Sequence, residues 1–144
     1  MFRVTRRYTF AASHRLHSSQ LPDEENRRIY GKCNNPYGHG HNYFLEVTAR
    51  GPADETTGIA APLAALDSLV RREVLLPFDH RNLNTDSDAF HEAVPTTENL
   101  AVEIARRLKR NWRSAFPGEW PILEKIRIEE TTRNIFEIKA DEIE

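Results

Sequence analysis

Residues 33–43 read Cys33-Asn34-Asn35-Pro36-Tyr37-Gly38-His39-Gly40-His41-Asn42-Tyr43, and the rest of the chain is best read outward from them. The stretch holds the only cysteine, a turn-forming Asn-Asn-Pro-Tyr-Gly segment and two histidines at alternate positions. Beyond Asn42, the residues Tyr43, Leu45, Val47 and Ala49 alternate with Phe44, Glu46, Thr48 and Arg50, the two-residue repeat of a half-buried strand. Counted backwards, the repeat puts His39 and His41 on the face of Tyr43, Leu45 and Val47. Side chains two apart on a strand point the same way, so both imidazoles can reach one ion. Gly38 and Gly40 leave room for close approach. The stretch reads as the metal-binding end of a strand, with a thiol held nearby by a tight turn.

Upstream, Phe2, Val4, Tyr8 and Phe10 alternate with Arg3, Thr5, Arg7 and Thr9, which predicts a first strand with one apolar face. Carried through Ala12 without a bulge, the same parity brings His14 onto that face. Ser18 to Asn26, with Pro22 and the acidic run Asp23-Glu24-Glu25, reads as a loop. Downstream, the histidine-rich strand ends near Arg50 and Gly51 to Gly58 is a turn region. From Pro62 to about Leu76, the residues Leu63, Leu66, Val70 and Val74 have helical spacing, and Pro77 is expected to stop the run. Phe78 to Asn84 reads as irregular. A second helix follows Pro95, with Thr96 or Thr97 as N-cap and Leu100, Ala101, Ile104, Ala105, Leu108 and Trp112 as its buried stripe. After Pro117-Gly118 come two strands, Leu123 to Glu130 and Ile135 to about Ala140, joined by a turn around Thr132-Arg133-Asn134. The order β-β-α-α-β-β predicts an α+β fold, an antiparallel four-stranded sheet with both helices on one face.

The totals agree with a single domain, 1–144: 39% hydrophobic and 29% charged residues suit a real core rather than disorder. A formal charge of −2 gives no sign of a nucleic-acid or membrane-surface partner, and Arg71-Arg72 and Arg106-Arg107 read as solvated helix faces. One cysteine cannot form an internal disulfide, and the N-terminus has no apolar signal core. The longest apolar run, Ile59 to Leu66, is interrupted by Pro62 and falls far short of the ~20 residues that span a bilayer. A soluble cytoplasmic protein is the expectation.

Three neutral imidazoles with an open fourth position make a catalytic zinc arrangement, and His14, His39 and His41 can supply it. A lone histidine would sooner line a core, but the pair at alternate positions with matched parity favours metal. His17 has the wrong parity to compete. Cys33 supports two readings equally: a small buried hydrophobe, or a thiol in polar surroundings that a nearby cation makes a usable base. Asp79-His80 can pair a carboxylate with an imidazole, although alone it fits local backbone capping beside an exposed histidine better. Glu130 follows Ile126 and Ile128 on the inward face of the third strand, where a carboxylate needs partners. It can accept two parallel N–H groups from a guanidine-like heterocycle, or pair with an arginine or lysine.

Taken together, Ala12-Ser13-His14-Arg15-Leu16-His17-Ser18, Asp23-Glu24-Glu25-Asn26, Gly31 to Tyr43, Thr57-Gly58, Phe78-Asp79-His80-Arg81-Asn82-Leu83, Thr96-Thr97-Glu98-Asn99 and Glu130-Thr131 resemble the 6-pyruvoyl tetrahydropterin synthase family, in matching order from about Phe10 to Glu130. The resemblance implies the tunnelling fold, whose subunits form trimeric barrels that stack as a homohexamer (a dimer of trimers) with active sites at subunit interfaces. It implies one Zn2+ per subunit on His14, His39 and His41, Cys33 as the proton-abstracting base, and Asp79 and His80 as a relay contributed across an interface. Glu130 would anchor the pterin, helped by Thr96, Thr97 and Glu98. The implied substrate is 7,8-dihydroneopterin triphosphate, converted to 6-pyruvoyl-tetrahydropterin with elimination of triphosphate, as in tetrahydrobiopterin biosynthesis. Arg15 and Lys32 are candidates for the triphosphate only by their proximity in sequence. The runner-up is 6-carboxy-5,6,7,8-tetrahydropterin synthase of queuosine biosynthesis, which has a shorter spacing than the five residues, Asn34 to Gly38, between Cys33 and His39 here. Two further readings are a non-catalytic metal- or pterin-binding module and a simple zinc hydrolase, the latter leaving Cys33, Asp79, His80 and Glu130 without a role. The chain departs from its relatives at Ile59-Ala60-Ala61-Pro62-Leu63, where they have a more polar start to the helix.

Overall fold

The computed structural model describes all 144 residues. Strand β1 (Phe2–His14) is followed by helix α1 (Asp23–Tyr30), a 3-10 turn (Gly31–Asn34) and β2 (His39–Gly51). Helix α2 (Leu63–Val70) runs through a wide π turn (Arg71–Leu75) into α3 (Leu76–Phe78). Next come β3 (Arg81–Asn82), α4 (Leu83–Asp86), the long α5 (Thr97–Ala115), β4 (Ile122–Glu129) and β5 (Ile135–Lys139). The sheet order is β3-β1-β2-β4-β5. The expected antiparallel sheet β1-β2-β4-β5 is present, and the two-residue β3 extends it by pairing parallel with Ala12 and Ser13 at the functional end of β1.

Register explains the faces. Phe10, Ala12 and His14 on β1 and Tyr43, Leu45, Val47 and Ala49 on β2 are all buried, as period two requires. A bulge on β4, where Thr48 faces Lys125 but Ala49 faces Leu123, resets parity so that Leu123 joins Ile126 and Ile128 in the core. The six stripe residues of α5 are buried over this face, and Leu66, Leu69, Val70 and Val74 of the α2 run pack beside them. Each such fully buried aliphatic side chain stabilises the fold by about 1.5–3 kcal/mol. The unusual start of α2 leaves Ile59 and Leu63 exposed and Ala61 buried, without disturbing the helix's core side.

Three expectations need correction. The stretch Phe78 to Asn84 is not irregular throughout, since it contains β3 and the first residues of α4. The segment Ser18 to Asn26 is not all loop, because α1 begins at Asp23. Its first turn holds three carboxylates, its last turn two arginines, and Gly31 (φ 54°) closes it with an N–H bond to the carbonyl of Arg27. The one buried residue of α1 is Asn26, which accepts from Ser18 N–H at 2.7 Å and donates to the carbonyls of Ser18 and Leu21 at 3.0 and 3.1 Å. A helix anchored by an amide has no apolar stripe for periodicity to detect. Nor does Pro77 stop the second helical run, which continues to Phe78. The π turn, in which Leu76 N–H reaches back to Arg71, lies just ahead of a proline ring that would crowd the carbonyl of Glu73 in a regular helix.

Candidate metal centre and active site

The antiparallel register sets His14 directly opposite His39 and Ala12 opposite His41, so three imidazoles meet at one end of adjacent strands. Ring centroids lie 5.4 Å apart for His14–His39, 4.9 Å for His14–His41 and 4.6 Å for His39–His41. The turn before β2 makes this possible. Gly38, bonded through its N–H to Asn35 O at 2.8 Å, takes φ 72° and passes so close to β1 that a Cβ would lie 2.8 Å from the carbonyl oxygen of His14.

His14 is fully buried, and its Nδ1 donates to the carbonyl of Pro95 at 2.9 Å. That bond leaves the Nε2 lone pair facing the cluster, where it is buried without any protein partner. Burial lowers the imidazole's pKa to about 4, which keeps it neutral. His39 Nε2 and His41 Nε2 stand 2.9 Å apart, and Cys33 Sγ is 3.3 Å from His39 Nε2. One donor atom from each of His14, Cys33, His39 and His41 lies within 4.8 Å of every other.

The donor set fits a divalent metal. Four-coordinate zinc separates its imidazole nitrogens by about 3.3 Å and a nitrogen from a thiolate by about 3.5 Å. The His39–His41 and Cys33–His39 gaps are within a few tenths of an ångström of those values, the remaining donor pairs lie within 4.8 Å, and the buried Nε2 of His14 has no protein partner. The thiol stands at the cluster as a fourth possible donor, beside the three imidazoles the sequence singled out. Burial pushes the Cys33 thiol up, and the neighbouring Glu130 carboxylate adds to the effect.

Glu130 is turned inward as its parity required. Its partners are neither arginine nor lysine: Thr97 Oγ1 donates to Oε2, and His41 Nε2 lies 3.4 Å from Oε1. Thr96 caps α5 by accepting from Asn99 N–H at 3.1 Å, while Glu98 is exposed on the first turn. Asp79 and His80 are not part of the imidazole cluster. Asp79 Oδ1 accepts from Ala11 N–H at 2.9 Å and lies 3.0 Å from His80 Nδ1, and the His80 side chain is 83% exposed. His80 is the one non-glycine residue with positive φ (59°), pinned by its N–H to Ala11 O, and it shares a cavity of about 520 Å³ with His41. His17 is set apart, its Nδ1 3.1 Å from Asn34 Nδ2. Sequence reasoning missed the Pro95 carbonyl and the Tyr43 hydroxyl, 3.4 Å from His14 Nδ1, whose pKa burial raises so that it stays protonated.

A sheet of this topology, backed by helices and carrying a histidine and cysteine cluster compatible with a metal ion where two adjacent strands end, is the architecture of the tunnelling-fold class. The chain belongs to the 6-pyruvoyl tetrahydropterin synthase family, whose model matches residues 3–141. It is 49% identical over 132 residues to a 6-pyruvoyl tetrahydrobiopterin synthase of Poecilia reticulata, covering 92% of this chain and 86% of the relative. The Homo sapiens protein of the same name is 44% identical over 138 residues, 96% of this chain and 91% of the relative. The solved 6-pyruvoyl tetrahydropterin synthase of Caenorhabditis elegans superposes with a TM-score of 0.86 at 42% identity, covering 96% of this chain and 94% of that one. No helix of the chain is long and apolar enough to cross a membrane.

Proposed function

We propose that the chain converts 7,8-dihydroneopterin triphosphate to 6-pyruvoyl-tetrahydropterin with elimination of triphosphate, using one Zn2+ per subunit held by His14, His39 and His41. The observation that carries this reading is the meeting of three imidazoles, a thiol and an inward carboxylate in one site. A zinc hydrolase would use only the first of these, and a passive binding module has no need of the thiol. The names of the relatives point the same way.

Bound zinc would supply a Lewis acid for the side-chain hydroxyls, making the adjacent C–H bonds more acidic. Cys33 takes and returns protons at Sγ. Since burial and Glu130 both hold the thiol protonated, the thiolate depends on a cation beside it. Glu130 accepts two N–H groups of the pterin, with Thr97 fixing one of its oxygens. The Thr96 cap orients that turn, and Glu98 stands at its rim. Asp79 holds His80 at Nδ1 and leaves Nε2 to pass protons, and its exposure suits service in a neighbouring subunit's site. The chemistry balances internally: one side-chain carbinol becomes a carbonyl as the ring gains two hydrogens. The second reaches the ketone level as the C–O bond to triphosphate breaks.

A homohexamer, a dimer of trimers, is the assembly this reading calls for. Both edges of the sheet support it: β5 is terminal, and the first ten residues of β1 pair on one side alone. So does the sheet face turned away from the helices, which carries polar pairs such as Thr5–Thr48 and Arg7–Glu129.

The test is to supply the zinc-loaded chain with dihydroneopterin triphosphate and identify the product side chain by mass spectrometry. A pyruvoyl group with free triphosphate is expected. A carboxyl group with acetaldehyde would transfer the assignment to the carboxy synthase, and tight pterin binding without turnover would leave a binding module.

A further inference from the structure

A cavity of about 600 Å³ opens beside the metal cluster, bounded by the segment after β1, helix α1 and the turn that carries Cys33. Its walls include Arg15, Arg27, Lys32, Asn34, Asn35 and Asp23, and it reaches His39. Three cations face one carboxylate there, in a chain whose formal net charge is −2. We propose that this cavity seats the triphosphate of the substrate, with Arg15, Arg27 and Lys32 as its charged contacts. The inference rests on the function proposed above and assigns the part of the substrate that the cluster and Glu130 leave unplaced.

Charge state is the first support. The ion pairs of this segment leave Arg15, Arg27 and Lys32 uncommitted, whereas Arg28, next along α1, is paired with Glu25 at 2.6 Å. Unpaired cations gathered in a concave site attract a polyanion more strongly than the same charges spread over a convex surface.

Rigidity is the second. Arg15 Nε donates to Asn34 O at 3.2 Å, which aims the guanidinium while leaving its terminal nitrogens for a ligand. The backbone of Arg15 is clamped by Asn84, which accepts from its N–H at 2.7 Å and donates to its carbonyl at 2.9 Å. Across the cavity, Leu16 N–H bonds Cys33 O at 2.7 Å and Asn34 Nδ2 donates to Leu16 O at 2.8 Å. Little ordering of Arg15 therefore remains to be done when an anion arrives, while the exposed side chains of Arg27 and Lys32 are free to close on it.

Order along the site is the third. Glu130 Oε1 lies 3.4 Å from His41 Nε2, which lies 2.9 Å from His39 Nε2, which lies 3.3 Å from Cys33 Sγ. Lys32 and Asn34 flank Cys33 and line the cavity. The substrate has the same sequence of parts: heterocycle, hydroxylated carbons, then the phosphate ester on the next carbon. A ring held at Glu130 with its hydroxyls at the imidazoles points its tail at this cavity.

The experiment combines calorimetry of inorganic tripolyphosphate binding with steady-state kinetics on the zinc-loaded full chain. Arg27→Gln and Lys32→Gln should each weaken tripolyphosphate roughly three- to tenfold and raise KM for the triphosphate substrate by a similar factor, with kcat nearly unchanged. Affinity for dihydroneopterin lacking phosphate should not move, and Arg28→Gln should behave as the native chain. Both effects should shrink as salt is raised. Normal turnover with unaltered KM and tripolyphosphate affinity in the Arg27→Gln/Lys32→Gln double variant would overturn the assignment while leaving the function standing. Tripolyphosphate binding that is lost in the variants, in a native chain without turnover, would keep the polyphosphate site and overturn the function.

Discussion

Replacing Gly38 by alanine separates the two demands this turn makes on its residue. At φ 72° any side chain meets the left-handed penalty, roughly 1–2 kcal/mol. The new Cβ would also lie 2.8 Å from the carbonyl oxygen of His14 and 3.2 Å from its carbonyl carbon, both backbone atoms that cannot swing aside. Forcing an atom into such a contact adds about 1–3 kcal/mol, for a total of about 2–5 kcal/mol. Gly58 is the internal control, since its φ of 75° carries the same backbone penalty but its Cβ would meet nothing within 4 Å. Gly58→Ala should therefore lose only about 1–2 kcal/mol. Urea unfolding of the metal-free proteins measures the difference, and competition titration with a chromophoric chelator measures zinc affinity. Gly38→Ala should be weakened in both, because relieving the clash moves His14 away from His39. If Gly38→Ala were no less stable than Gly58→Ala and bound zinc as the native chain does, the close approach of the two strands would not be what sets the cluster.

Cys33→Ala should lower kcat roughly 10²- to 10⁴-fold while the zinc content stays unchanged by metal analysis; parallel loss of zinc would make the thiol a ligand instead of the base. Glu130→Gln should weaken pterin binding on the order of ten- to a hundredfold, since charge-assisted bonds become neutral ones; unaltered affinity would remove the carboxylate from the ring's site. Acid should destabilise the metal-free chain through His14. An unfolded histidine titrates near 6.5 and the folded one near 4, so the unfolded state binds more protons between those values. The stability involved, about 3 kcal/mol, is fully present above pH 6.5 and is lost as pH falls towards 4. Urea midpoints followed against pH should show this slope in the native chain and lose it in His14→Gln; equal slopes would count against a neutral buried imidazole.

Much of the site could be read because it is built on strands. Period two placed His39 and His41 with Tyr43, carried His14 inward with Phe10, and turned Glu130 in behind Ile128. Each of those rings or carboxylates stands where the alternation put it. The stripe of α5 followed from its spacing in the same way. What escaped was set by polar groups and backbone. Helix α1 is held by the amide of Asn26, so the signal lay in its acidic start, basic end and Gly31, not in apolar repeats. Pro77 misled because a widened turn accommodates it. The carbonyl that fixes the tautomer of His14 belongs to Pro95, a residue 81 positions away whose side chain says nothing about where its oxygen points. The two-residue β3 is likewise too short to leave a pattern, and exists because Asp79 and His80 bond to the backbone of Ala11.

Pro95, Thr96 and Thr97 each hold something different: the outer nitrogen of His14, the first turn of α5, and an oxygen of Glu130. On the proposed reading, one short length of main chain therefore props both a ligand of the metal and the anchor of the ring. A substitution that displaced this peptide would then be expected to disturb both affinities together.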